Sequence, residues 1–286
     1  MLIVIAGAIA QLVDGGLGMG FGVTSTTILL LTMSPAHASA VVHAAELGTT
    51  LASGAAHWRF GNVDWRIVFR LGLPGAVGAG VGATVLSHIA ADAARPVTAV
   101  ILALVGVNLL WRFSQGRIRN RSSKRYSTPM LVALGAVGGL VDATGGGGWG
   151  PMTTSTLLAL GKDEPRRVVG TVNTAEFLVA AAATGGFVIG LWDQLHTHLF
   201  AIGQLMLGGV IAAPVAAWLV TKVNPIILGG FVGTTLIALN LPVLWPVAVV
   251  VGVLLTRRGI RRSRRAHIII STEPRSADRY VKVKAL

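Results

Sequence analysis

Four carboxylates, Asp14, Glu46, Asp142 and Glu176, stand in stretches that are otherwise apolar. A carboxylate at membrane depth costs about 2.5–3.5 kcal/mol on insertion scales, so it is kept for a function or for a tightly held contact. Glu46 and Glu176 lie within long apolar runs. Such a carboxyl can carry a proton through a transport cycle, or stay neutral and bind helices together by hydrogen bonds. Asp14 and Asp142 each stand at the start of a glycine-rich break, Asp14-Gly-Gly-Leu-Gly-Met-Gly-Phe-Gly22 and Asp142-Ala-Thr-Gly-Gly-Gly-Gly-Trp-Gly150. There they read as structural caps that accept backbone N–H groups freed by the break. The other role open to them is cation or proton handling.

Each break leads into hydroxyls: Thr24, Ser25, Thr26 and Thr27 in one case, Thr153, Thr154, Ser155 and Thr156 in the other. Glycine lets a ligand approach the backbone closely, and a helix start offers unpaired N–H donors at the positive end of its dipole. Gly18, Gly20, Gly22, Thr24, Ser25 and Thr26, with Gly146, Gly148, Gly150, Thr153, Thr154 and Ser155, are therefore the candidate substrate-binding set, suited to a small oxyanion. A single such stretch would be read as close helix packing; the repeated order of Asp, glycines and hydroxyls favours a site. His43 and Asn173 precede the two glutamates by three residues, on the same helical face, and are candidates to contact substrate or orient the carboxyls. A histidine so placed also serves well as a hydrogen-bonded structural residue. His196-Thr-His198 is a metal hint with no further ligands, so neither a metal site nor a cofactor is expected.

The elements that carry these residues belong in a bilayer. The 286 residues are 53% hydrophobic and 12% charged, with a mean hydropathy of +0.70, about half the charged fraction of a soluble domain. The absence of cysteine excludes disulfides and thiol chemistry. The net charge of +13 is concentrated in Arg112–Arg125 and Arg257–Arg265. These clusters flank hydrophobic spans and lack interleaved aromatics, so they read as positive-inside signals rather than as a nucleic-acid surface. The opening Met1-Leu-Ile-Val-Ile-Ala has no basic n-region, which argues against a cleaved signal peptide. No P-loop, GxSxG elbow or HExxH pair is present, which argues against ATP-driven transport and against an enzyme.

At about 20 residues per crossing, spans are expected near 38–58, 67–88, 95–112, 168–190, 198–220 and 225–241. A shorter apolar run follows from Leu244 to Thr256. The two broken stretches, 2–33 and 129–160, are too long for one helix. Laid on each other without a gap, Gly7–Leu30 and Gly135–Leu158 share eleven identical pairs, among them Asp14/Asp142, Gly18/Gly146, Gly22/Gly150 and Thr26/Thr154. About two would arise by chance, so this is an internal repeat. A two-residue insertion then brings Glu46 onto Glu176 and His43 onto Asn173.

The expected architecture is an all-α polytopic membrane protein of two four-segment repeats, the first segment of each broken or re-entrant. Residues 1–113 and 129–241 form the repeats, 114–128 a basic cytoplasmic linker, 242–256 an extra hydrophobic segment and 257–286 a disordered basic cytoplasmic tail. Loop charge suggests orientation. Residues 34–40 carry no Lys or Arg and the next connection carries Arg59, Arg66 and Arg70. In the second half Lys162, Arg166 and Arg167 come first, and 191–199 has none. Corresponding loops then lie on opposite faces, which favours inverted over parallel repeats.

The two Asp–Gly-rich segments, the glutamate in the next span and Gly61-Asn-Val-Asp-Trp65 together resemble the TauE/SafE family of sulfite and organosulfonate exporters, over roughly residues 5–240. The resemblance implies two related halves in the plasma membrane and secondary transport of small sulfur-containing oxyanions. Carried onto this chain it points to Gly15–Gly22, Gly145–Gly150, Glu46 and Glu176. Other readings of the same polar centre are a permease for an unrelated small anion or a metal cation, and a membrane enzyme or assembly factor. The partners expected are a small anionic substrate and the lipid bilayer.

Overall fold

A computed structural model describes residues 2–17, 19–116, 126–160, 163, 165–219 and 224–265. Glycine decides where the first apolar stretch breaks. It forms α1 (Leu2–Leu17) and α2 (Phe21–Leu29), joined through Gly20, whose φ of 136° suits no other residue. Three longer helices follow, α3 (Pro35–Arg59), α4 (Trp65–His88) and α5 (Ala91–Ser114). The second broken stretch forms α6 (Thr128–Gly145), a π-helical turn at Gly150–Thr154 and the short α7 (Ser155–Leu160). Then come α8 (Pro165–Leu195), α9 (Leu199–Leu219), α10 (Pro225–Asn240) and α11 (Trp245–Arg265). Proline opens α3, α8 and α10, at the helical position where its missing N–H costs nothing.

The described residues are all-α, with five helices long and apolar enough to cross a membrane: Trp65–His88, Ala91–Ser114, Thr128–Gly145, Arg167–Trp192 and Pro242–Arg264. α3 is 25 residues long but too polar to be among them. It lies at the centre, touching α2, α6, α8 and α9, and protein covers most of its length before Leu51, beyond which it is mostly exposed. Apolar side chains elsewhere point outward in helical rows. On α4, Leu73, Val77, Val81 and Val85 are each 49–69% exposed, the surface a bilayer would cover. The boundary expected at residue 257 is not a structural one. α11 continues to Arg265 because Gly259 and Arg262 still pack on the end of α5.

The halves are interlocked. α1 lies along α9 of the other half, and α6 lies along α4. One contact recurs in both pairs. Gly7 abuts the Leu205 carbonyl and the Gly209 amide, and Gly135 abuts the Leu71 carbonyl and the Gly75 amide. A Cβ at either glycine would overlap the carbonyl oxygen, so small residues set the helix spacing. α3 and α8 pack on each other in opposite directions: the His43 ring meets Phe187, at 6.1 Å between centroids, while Ser53 meets Asn173. α5 and α10 are likewise antiparallel, with Gly106 near Ile237 and Phe113 against Gly229.

Side chains tie specific loops together at each end. Asp64 caps α4 by accepting the N–H groups of Arg66 and Ile67, and its second oxygen takes the Arg167 guanidinium at 2.9 Å. The connections before α4 and before α8, both basic, therefore share one end. The connections before α3 and before α9 meet elsewhere through His37 and His198, with ring centroids 4.9 Å apart. Trp58 and Trp65 stack edge to face beside the basic end, as tryptophans do at a membrane surface.

Candidate functional site

The two glycine breaks cross each other at the centre of the protein. Gly22 lies against Gly147, and Gly150 against Met19. By the repeat these are one contact made twice, since Gly22 corresponds to Gly150 and Met19 to Gly147. The Thr26 hydroxyl donates to the Gly146 carbonyl across the crossing. Gly146 and Gly147 have φ of 67° and 144°, conformations that exclude a side chain even before the crowding is considered.

Each aspartate holds its own break. The Asp142 Oδ1 accepts the Trp149 N–H at 2.8 Å, and the Asp14 carboxylate lies beside the start of α2 at Phe21. The Asp142 bond spans seven residues and ends on the aromatic that opens the next helix; Phe21 holds the matching place after Asp14. The helices after the breaks consequently begin at Phe21 and Trp149–Gly150, earlier than the hydroxyl runs. This corrects the expectation that Thr24–Thr27 and Thr153–Thr156 stand at helix starts: the cap draws the first turn back toward the aspartate. After the second break that turn is π rather than α.

His43 is fully buried, and its Nδ1 lies 2.8 Å from the Ser39 carbonyl. A carbonyl only accepts, so Nδ1 carries a hydrogen. Nε2 faces the Asp142 Oδ2 at 3.1 Å. Two buried polar groups from different halves thus meet as partners. Ser39 completes the arrangement by donating to the Ala143 carbonyl at 2.7 Å.

Glu46, one turn along α3, is 3% exposed. Its Oε1 rests over Gly22 and its Oε2 has no hydrogen-bond partner. Glu176 is half-buried, and the carboxyls of Asp14, Glu46, Asp142 and Glu176 lie within electrostatic reach of one another. Asn173 donates to the Ser53 hydroxyl at 3.0 Å.

The hydroxyls divide into two groups. Thr24, Ser25 and Thr154 are buried with unpartnered oxygens, a costly state that a bound polar ligand relieves. Thr153 and Ser155 instead donate to carbonyls of their own turn. Gly20 and Gly148 lie in the two breaks, Gly148 against Val141. Gly18 lies outside the described residues.

Sequence reasoning missed three contributors. Trp149 is fully buried, donates its indole N–H to the Val172 carbonyl at 3.2 Å and wedges against Gly75. Its alignment with Phe21 was the available signal. Ser39 and Ser53 carried no signal at all. The His43–Asp142 pairing, 99 residues apart, also creates a potential cation site. His43, Glu46 and Asp142 offer ligand atoms within 4.8 Å of one another, a nitrogen-and-oxygen set that suits a borderline divalent ion.

Broken backbone inside a membrane protein is tolerated only where it is buried in protein or lines a cavity, and here it lies beside unpartnered hydroxyls and carboxyls. Comparison with known proteins gives the family. The chain is 46% identical over 239 residues to the probable membrane transporter protein YtnM of Bacillus subtilis, covering 82% of this chain and 79% of that one. It is 27% identical over 223 residues to the probable membrane transporter protein YdhB of the same organism, covering 76% and 89%. No solved structure matches. Residues 3–267 match the family described as sulfite exporter TauE/SafE, and the chain belongs to that family as a multi-pass membrane transporter.

Proposed function

We propose that this protein is a secondary transporter of small sulfur-containing oxyanions, such as sulfite or organosulfonates, coupled to protons through Glu46 and Glu176. The observation that carries the reading is the crossing of the two breaks beside the unpartnered hydroxyls of Thr24, Ser25 and Thr154. Hydroxyls and glycine N–H groups suit an oxyanion. Four carboxylates do not, unless protons accompany the anion. Glu46, whose Oε2 is unpartnered at the crossing, is the group best situated to take one up.

The antiparallel packing of α3 on α8 and of α5 on α10 supports inverted repeats. The shared end of the basic loops supports a plasma-membrane orientation with the 112–127 loop and the C-terminal tail cytoplasmic. Proteoliposomes test the reading by flux across a panel of sulfite, sulfonates and unrelated anions, with and without a proton gradient. Gradient-dependent flux of the sulfur oxyanions, lost in Glu46→Gln and in Glu176→Gln, is expected. Normal transport by both variants rules out proton carriage by these residues. The His43–Glu46–Asp142 set favours one second reading, a permease for a metal cation. Adding divalent cations to the panel separates the two.

A further inference from the structure

Two opposite faces divide α11. Ala248, Gly252 and Gly259 form the face that packs inward: Ala248 is 4% exposed, Gly252 meets Thr234, and Gly259 meets the Phe113 carbonyl. The outer face runs Val247, Val251, Leu254, Arg258 and Arg261, at alternating spacings of four and three residues. Its valines and Leu254 are 40–58% exposed. Beyond Leu254 the stripe changes without interruption from apolar to cationic. There Leu254, Arg257, Arg258, Arg261 and Arg262 line a groove of about 320 Å³. Arg262 is anchored at one edge by donating to the Gln115 side-chain oxygen at 2.6 Å. Among the described residues no carboxylate pairs with these four arginines.

We propose that this groove binds the headgroup of an anionic phospholipid, with an acyl chain lying along Val247, Val251 and Leu254. Arginine forks recognise phosphate oxygens bidentately, and several of them converge here without a counter-ion among the described residues. A positive-inside signal alone requires only charge. It does not require a groove, nor an apolar track that leads into it. That track distinguishes a lipid from a free phosphate, which would gain nothing from it. α11 is also the most lipid-exposed of the five long spans, with 17% of its apolar window buried against 33% or more in the others. The site is remote from the crossing of the breaks and independent of the substrate carried there.

The experiment uses the full-length protein in neutral detergent, followed by native mass spectrometry and by thermal stability. It is titrated separately with phosphatidylglycerol, phosphatidylcholine and inorganic phosphate. Retention of phosphatidylglycerol over phosphatidylcholine is expected, with no displacement by millimolar phosphate. Arg258→Gln and Arg261→Gln each weaken retention roughly fivefold and more when combined, while the corresponding lysine variants keep the preference for the anionic lipid. If the double variant fails to fold, the two single variants decide. Equal retention of both lipids, unchanged retention in the single variants, or competition by free phosphate would each overturn the proposal.

Discussion

In the first half, His43 reaches across to Asp142 of the second. In the second half, Asn173 occupies the corresponding position and turns to Ser53 instead. The same inequality appears at the crossing, where Gly22 meets Gly147 but Gly150 meets Met19. The chain plan is shared, each aspartate standing seven residues before the aromatic that opens the next helix. The aligned stretches share their glycines and aspartates, while the side chains at the centre differ. Only one of the two equivalent aspartates has an imidazole partner.

Gly147→Val should break the comparison most severely. A side chain there collides with the backbone of Gly22 and Val23 at a φ that only glycine accepts. A loss of at least about 3 kcal/mol, with no measurable flux, is expected in thermal unfolding and transport assays. Met19→Gly, which makes the first break resemble the second, should leave a folded transporter by the same measures.

The glutamates come next. Glu46→Gln should lower proton-driven flux tenfold or more, about 1.4 kcal/mol in the barrier, with Glu176→Gln less severe because Glu176 is less enclosed. Equal effects would mean that the two carboxyls act symmetrically despite their surroundings.

His43→Asn copies the second half into the first. It leaves the buried Asp142 Oδ2 without its partner, which should cost about 1–3 kcal/mol of stability in detergent melts and shift the pH profile of flux. Asn173→His, the reverse exchange, loses only the bond to Ser53 and should change stability by about 1 kcal/mol. The smallest effect belongs to Asp64→Asn. It keeps the cap on α4 and removes one partly exposed ion pair with Arg167, worth about 0–1 kcal/mol in the same melts.

Much of the scaffold was legible because bilayer physics writes it into composition and spacing. Apolar runs marked three of the long apolar helices, Trp65–His88, Ala91–Ser114 and Arg167–Trp192, but α3 is too polar to count and the run from Leu244 proved long enough to cross; the glycines following Asp14 and Asp142 marked the breaks. What escaped was whatever depends on contacts between the halves. Nothing near His43 in the sequence names Asp142 as its partner, and nothing near Asn173 explains why it prefers Ser53. Local signals were also misread where a cap overrode them: the hydroxyl runs suggested helix starts that Asp14 and Asp142 set earlier. α11 was expected to end at its arginines, because a run of like charge reads as solvated tail. Packing of Gly259 against the end of α5 carries the helix onward.

The exchange of neighbours between halves has a consequence for biogenesis. α4 is synthesised early, yet the surface of Leu71, Gly75, Gly78 and Gly82 that receives α6 must wait until residues 128–145 emerge. α1 waits longer still, for α9. A nascent chain halted after α5 therefore leaves α1, α3, α4 and α5 each without a partner from the second half, and either half made alone is an unfinished clasp. Two separately expressed fragments, divided between Gly116 and Tyr126, should each be degraded when alone and should rescue one another when produced together.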